Sequence, residues 1–543
     1  MTRVVVIGLD GATWSLINPM LEKGFLPNLE HVVRNGVSAQ LNSTVPPLTP
    51  TAWVSFATGK APAKTGVFDF VLPGPSIDKF RTVTSRDIKG KVLHEILEEQ
   101  GYASVLVNLP LSLPSKTRRC IILPSFLESA AKIPKKEELS KIVPELNQYR
   151  TFPDLSLDVG TDKKEYIEDI RRVEETRFNC AQKLFKVIDW QFFFLLFSGT
   201  DWVQHRYFEK MCNFKLRPRH PAMQLFKDID GYVGWFVKSL PQDCKLMIIS
   251  DHGFKMWKRV FYVNEFLKRN GWLQVSNSTE KHRAYLKHSQ IRESIEASRL
   301  KTIHIPSRLY KLVTNSIFEG IKRKISKLMP IRFGIANQPS PSSSLAFAPT
   351  PNSIFINRVD YYAKGRVAES NYDEVLHEIE SELSNLKDPK TKNRVIQCTI
   401  NARKIIPPHH LNAKLSDLII YSETHLIKHE LSGKKFESRI ENNHSAEGIF
   451  IAYGSDMKKG IGIDSVNIWD VAPTVLHILG CEIPKDMDGK VINEIFHENS
   501  NVLTEQVRND SQRTVATEDR KFPIYSPEEK EKIKKRLRSL GYL

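Results

Sequence analysis

The sequence predicts an α/β protein: a mostly parallel central sheet with helices on both faces, interrupted by an inserted, smaller α/β cap region. Two features carry that prediction. Short continuous apolar runs such as RVVVIGL, WQFFFLLF and KLMIIS alternate with amphipathic segments over roughly the first 260 residues. A strand that is apolar at every position, rather than at every second one, is buried on both faces, as in parallel sheets covered by crossover helices.

Taken in order, Arg3–Leu9 reads as the first strand and ends in Asp10-Gly11. LPNLEHVVRNG and KVLHEILEEQG read as helices, each closed by a glycine, and the second leads into the strand YASVLVN. KKEYIEDIRRVEETRFNCAQKLFKVID is a long amphipathic helix leading into WQFFFLLF, and PAMQLFKDIDGYVGWFVKSL leads into KLMIIS. Near residue 276 the alternation stops. A basic stretch follows, in which Leu309, Val313, Ile317, Ile321, Ile325 and Leu328 fall at helical spacing, and then the polar, proline-broken NQPSPSSS. SIFINR, YDEVLHEIESELSNL and RVIQCTI restore a small α/β pattern. DLIIYS and GIFIAYG read as a return to the main sheet, and IWDVAPTVLHILG as a final amphipathic helix. Ser526, Pro527 and Glu529 form a capping box ahead of a terminal helix. The expected division is a discontinuous core of 1–275 and 401–495, a basic inserted cap of 276–400, and a tail of 496–543.

The net charge of +17 is concentrated: residues 281–332 carry 13 Lys/Arg against three acids. Such a surplus suits an anionic partner. The expected partners are a phosphorylated small molecule, a glycan or a lipid-linked substrate, with peripheral contact to an anionic membrane through the amphipathic segment 308–329. Nucleic acid is not an expected partner. The six cysteines are scattered, with no C-x-x-C pair. MTRVVVIGLDG enters a β-branched run without the helical apolar core of a signal peptide. The longest apolar run, Trp190–Phe197, is far short of the ~20 residues that span a bilayer. These readings point to a reduced, cytoplasmic enzyme.

The candidate chemistry lies where strands end. RVVVIGL runs into Asp10, WQFFFLLF into Asp201 of TDWVQH, and KLMIIS into Asp251-His252 of SDHG. The carboxyl ends of strands are where open α/β sheets bind ligands. Asp201 and His205 are four apart, on one face of a helical turn, while Asp251 and His252 converge only in a tight turn that Gly253 permits. NHSAEGIFIAYG offers His444 beside a further strand. Aspartate and histidine together suit zinc or manganese, and six such groups are enough for two ions. VPPLTPTAWVSFATG holds Thr49 between prolines just ahead of a helix; read alone, Thr49 or Thr51 is a helix N-cap.

The ordered set LDG, T-P-x-A-W-x-S-F-x-T-G, TDxxxH, SDHGF and NHxxxGIF resembles the alkaline phosphatase superfamily, and most closely its type I phosphodiesterase/nucleotide pyrophosphatase branch. The resemblance covers roughly residues 1–265 and 344–492, and the short LRSLGYL ending. It implies an alkaline phosphatase-like fold and two divalent metal ions, expected to be zinc with manganese as the alternative. One ion would be held by Asp201, His205 and His444. The other would be held by Asp10, Asp251 and His252, with Thr49 as the nucleophile at that second ion. The implied reaction is hydrolysis of phosphodiester or pyrophosphate bonds through a phospho-threonine. Transfer of the group to a sugar or lipid acceptor, and phosphomonoester hydrolysis, are the alternatives. A sulfatase is excluded, because threonine cannot become formylglycine. Two positions depart from the pattern: Thr65 replaces a common histidine, and Phe70 stands where these enzymes carry an asparagine that helps bind the phosphoryl group.

Overall fold

The computed structural model describes residues 2–74, 80–158, 163–275, 343–405, 416–500, 502 and 526–539. The basic stretch 281–332, its segment 308–329 and most of NQPSPSSS lie outside the described residues.

The main sheet has nine strands. In chain order its longer members are β1 (Arg3–Leu9), β2 (Val37–Asn42), β3 (Ser104–Val107), β4 (Cys120–Leu123), β5 (Phe192–Phe197), β6 (Cys244–Ile249) and β7 (Glu447–Tyr453). They lie side by side as β2-β7-β6-β1-β5-β3-β4. Two short strands, Ile461–Gly462 and Val466–Asn467, run parallel to β2. Every pairing is parallel except those of β7, which is antiparallel to both β6 and β2. The predicted mostly parallel sheet is therefore present, with one reversed strand.

Strand alternation shows why β5 is apolar throughout. Phe194 faces one side, against Trp53 at 5.4 Å and Phe56 at 5.2 Å, both from helix α1 (Thr49–Thr58). Phe193 and Phe197 face the other side. There they meet Phe185 of α2 (Lys164–Val187), and Phe236 and Tyr232 of a long helix, Pro221–Ser239. Successive residues of one strand thus serve two helical layers. The contact with α1 also depends on Gly8 of β1. A Cβ there would sit 2.7 Å from both the Trp53 ring and the Leu196 side chain. The missing side chain lets Trp53 lie against the strand, and α1, with Thr49 at its first turn, is seated by that packing.

Two smaller sheets follow β6. Gly253–Tyr262 pairs with Leu426–Lys428 and Phe436–Ser445. Ala346–Thr350, Ser353–Ile356, Leu418–Tyr421 and Cys398–Asn401 form a four-stranded sheet. This sheet has its own core, built around Phe347, Ile354, Ile379, Leu383, Leu418 and Ile420. Here the structure corrects the sequence reading. DLIIYS does not return to the main sheet; Leu418–Tyr421 pairs with Ser353–Ile356 and Cys398–Asn401. A fully apolar run cannot say which of two sheets will cover it. GIFIAYG does return, as β7. IWDVAPTVLHILG gives a helix only over Val471–Ile478, and all eight of its residues are buried, so it is not amphipathic. The terminal helix Pro527–Ser539 has the predicted capping box, with Ser526 N–H on Glu529 and Glu529 N–H on the Ser526 hydroxyl. No helix among the described residues is long and apolar enough to cross a membrane.

Substituting Gly8→Ala tests the packing of α1 on the sheet. The overlap with Trp53 and Leu196 is expected to cost about 1–3 kcal/mol, the usual range for overpacking a core. It would be read as a lower urea midpoint, and an unchanged midpoint contradicts the tight contact.

Candidate metal centre

The strand order determines where the chemistry collects. β6, β1 and β5 are adjacent and parallel, so their carboxyl ends lie side by side and present Asp251-His252, Asp10 and Asp201 along one edge. The Asp10 N–H bonds the Phe197 carbonyl at 3.1 Å, which ties the end of β1 to the end of β5. β7 runs the opposite way, so its beginning lies at the edge where its neighbours end. His444, three residues before β7, therefore arrives at the same place from 192 residues beyond His252. The reversed strand is what adds the last histidine.

Two groups result, and they are the two that the sequence anticipated: Asp201, His205 and His444, and Asp10, Asp251 and His252. Within each group the ligand atoms lie within 4.8 Å of one another. His444 Nε2 is 3.1 Å from Asp201 Oδ1 and 3.1 Å from His205 Nε2. His252 Nε2 is 3.2 Å from Asp251 Oδ2 and 3.7 Å from Asp10 Oδ1. The His252 and His444 rings stack at 3.6 Å, so the groups adjoin. Asp201 and His205 stand one turn apart on helix α3 (Gly199–Cys212), on one face as their spacing requires.

The donor chemistry fits divalent cations. His252 Nδ1 faces the Gly253 carbonyl at 3.1 Å and His444 Nδ1 faces the Pro47 carbonyl at 3.0 Å. A carbonyl accepts only, so each Nδ1 carries the proton and each Nε2 presents a lone pair to the site. Asp10 Oδ1 and Asp251 Oδ2 are buried and accept no hydrogen bond from the described residues. Lone pairs and carboxylate oxygens thus point at one another in a water-poor space, an arrangement that positive charge would relieve.

The electrostatics say the same. Burial, then repulsion from Asp251 and Asp201, pushes the Asp10 carboxyl well above its ordinary range. Burial pushes Asp251 up to about 7, against the pull of the Gly11 N–H it accepts at 3.1 Å. For Asp201 burial acts the same way, but His205 and His444 outweigh it and hold the carboxyl well below the usual range. Burial also holds the His252 and His205 imidazoles down, which keeps them neutral and able to ligate.

Thr49 opens α1 and is buried; its Oγ1 lies 3.4 Å from His252 Nε2. It is not an N-cap: Leu48 occupies that position, with no side-chain cap. Nor is Thr51, whose hydroxyl is buried without a partner. The first intrahelical bond runs from Ala52 N–H to the Leu48 carbonyl, so the amides of Thr49 and Thr51 precede it at the helix mouth. All seven sequence-predicted residues are therefore brought together.

The two departures from the expected pattern have structural explanations. Thr65 is buried and bonds locally, its hydroxyl donating to the Pro62 carbonyl at 3.2 Å. Phe70 is a core residue whose ring lies 6.5 Å from Phe126, which in turn meets Trp202 at 6.1 Å. At this position the side chain packs the wall behind α3 and is a hydrocarbon ring with no polar atom to offer. Sequence reasoning missed two residues that hold the turns carrying the ligands, Thr200 and Ser43. Thr200 donates to the Asp10 carbonyl at 2.6 Å, and Ser43 to the Asp251 carbonyl at 2.5 Å. Ser43 lies outside the motifs, and although Thr200 is the threonine of TDxxxH, only three-dimensional contact reveals what either residue holds.

A family model described as Type I phosphodiesterase / nucleotide pyrophosphatase matches residues 4–446. Among solved structures, murine ectonucleotide pyrophosphatase/phosphodiesterase 5 is similar at 14% identity and a TM-score of 0.47, over 88% of this chain and 95% of that one. An inactive variant of the same murine protein, in complex with AMP, matches at 13% and 0.47, over 89% and 96%. The human protein matches at 13% and 0.46, over 88% and 95%. No curated protein matches the chain in sequence.

A pH dependence follows for metal-free protein. Asp10 and Asp251 are raised, so the folded state holds protons that the unfolded chain has released. Their stabilising contribution is complete below about pH 4 and is lost as pH rises through about 7. In chelator, the melting temperature is expected to fall over this window, and Asp251→Asn to flatten the fall. Equal slopes for the two proteins contradict the reading.

Proposed function

This chain belongs to the type I phosphodiesterase/nucleotide pyrophosphatase family of metal-dependent hydrolases, and from that premise we propose that it cleaves phosphodiester or pyrophosphate bonds through a covalent intermediate on Thr49. The observation that carries the proposal is the position of Thr49 Oγ1, 3.4 Å from His252 Nε2, at the junction of two metal-ligand groups and a helix N-terminus.

Asp201, His205 and His444 would hold one divalent ion, and Asp10, Asp251 and His252 the other; zinc is the reading for both, with manganese second. Bound there, the ions would supply positive charge that favours the ionised hydroxyl and neutralises phosphoryl oxygens. The remaining work falls to the chain. Thr49 is held by α1, whose seat against Gly8 and Phe194 keeps the hydroxyl in place. Its Oγ1 forms the bond to phosphorus as the bond from phosphorus to the leaving oxygen breaks, and the hydroxyl proton is released. The amides at the mouth of α1 offer hydrogen bonds to phosphoryl oxygens. Water then cleaves the threonine ester and restores the hydroxyl. The carbonyls of Gly253 and Pro47 keep the two imidazoles aimed throughout.

Phe70 is apolar and buried, so the contact that an asparagine would make is not available from this position. The glycan- or lipid-linked substrates and the membrane contact through 308–329 find no support in the described residues. No disulfide joins any of the six cysteines, all of them among the described residues, which supports a reducing compartment, and a cytoplasmic location is our reading. Subcellular fractionation that found the protein outside the cell would overturn it.

The test is hydrolysis of bis(p-nitrophenyl) phosphate against p-nitrophenyl phosphate, with Zn²⁺ or Mn²⁺ and with chelator. Diester turnover is expected to need metal and to fall by about three orders of magnitude or more in Thr49→Ala. Preference for the monoester would mean a phosphatase. Metal binding without turnover of either ester would mean a transferase with a demanding acceptor.

A further inference from the structure

We propose that Glu174 is a positioning residue for the Asp201–His205–His444 group, acting through the N-terminus of α3. The first turn of that helix has its own capping candidates, and all are committed elsewhere. Ser198 stands at the N-cap position but makes no capping bond; its hydroxyl accepts from Asn108 Nδ2 at 2.9 Å. Thr200 donates to the carbonyls of Asp10 and Phe197. Asp201, in the first turn, faces His205 and His444. An aspartate so close to a helix start ordinarily caps it. Here the task is done from α2, 25 residues upstream: Glu174 Oε1 accepts the Gly199 N–H at 2.6 Å.

Glu174 and Arg177 are both fully buried, and Arg177 Nη1 meets Glu174 Oε1 at 2.5 Å. Arg177 Nη2 donates to the Thr151 carbonyl at 2.7 Å, and its guanidinium lies 5.3 Å from the Trp202 ring centre, directly after Asp201. A buried ion pair is a poor source of net stability, since desolvation offsets most of its attraction. Its use here is geometric. Gly199 leaves room for it: a Cβ there would lie 3.0 Å from Glu174 Oε1 and 2.8 Å from Ile170. With the helix start satisfied by a carboxylate from outside, the Asp201 carboxylate is free to turn toward the two histidines.

This inference rests on the two-metal reading of the site, and the experiment separates the two. Zn²⁺ affinity is measured by competition with a chelator, giving two binding steps in the wild type. The step lost in His444→Ala identifies the Asp201 group. Glu174→Asp keeps the charge beside Arg177 but withdraws the oxygen from Gly199 N–H, and is expected to weaken that step by about 10–100-fold, the usual effect of an outer partner. The other step should stay within about threefold. Glu174→Gln, whose amide oxygen still reaches Gly199, is expected to restore most of the affinity. Gly199→Ala, which crowds the same oxygen, should weaken the same step. A role in folding alone would lower the melting temperature without favouring one step. Two unchanged steps in folded Glu174→Asp and Gly199→Ala, or equal weakening of both, overturn the inference while the two-metal reading stands. A wild type that binds no metal overturns both.

Discussion

Three carboxylates, Asp10, Asp201 and Asp251, are buried together at one edge of the sheet, and much of the surrounding structure answers the cost of keeping them there. Like charges in a space from which water is excluded repel strongly, and protein interiors accept them only when opposite charge or many donors are present. Protons alone are a weak answer near neutral pH. The imidazoles of His205, His252 and His444 supply lone pairs, which is the complement a divalent cation needs. The site is thus built to be incomplete as protein.

Holding such a site calls for a rigid frame, and the sheet provides it through β1. Asp10 extends the strand lying between β5 and β6; β6 delivers Asp251 and His252 two and three residues past its end, and β5 delivers Asp201 four residues past its end. The reversed β7 closes the set with His444. Around this frame, backbone carbonyls aim the imidazoles, and hydroxyls from Ser43 and Thr200 fix the turns that carry Asp251 and Asp10. Aromatic packing extends the support outward: Phe126 and Phe152 flank Trp202, Phe70 packs on Phe126, and Arg536 of the terminal helix donates to the Phe126 and Glu128 carbonyls. The tail of the chain therefore braces the wall behind α3.

Much of this was legible in the sequence, for identifiable reasons. Parallel strands buried on both sides write themselves as unbroken apolar runs, and acidic groups at strand ends write themselves as Asp or Asp-His after such runs, so β1, β5, β6 and the candidates Asp10, Asp201, Asp251 and His252 could be read from the runs, whereas Thr49 entered only through the family resemblance. What failed was the allocation of a strand between sheets. Leu418–Tyr421 and Glu447–Tyr453 look alike as sequence, and only pairing distinguishes them. The supports of the ligands were not legible either. Glu174 sits in a helix whose charged residues mostly face water, and nothing in its neighbours marks it as fully buried. Asn108, held at φ 67° with its amide on the Leu196 carbonyl and Ser198 hydroxyl, ends an ordinary strand in sequence terms.

The central claim is that Thr49 carries the transferred group, and a rapid-quench experiment addresses it without relying on rate constants. Metal-loaded protein mixed with bis(p-nitrophenyl) phosphate is stopped in acid, digested and mapped by mass. The account predicts a p-nitrophenylphosphoryl adduct on the peptide containing Thr49, absent when metal is removed. Turnover with no adduct on that peptide, or an adduct on another residue, would contradict it.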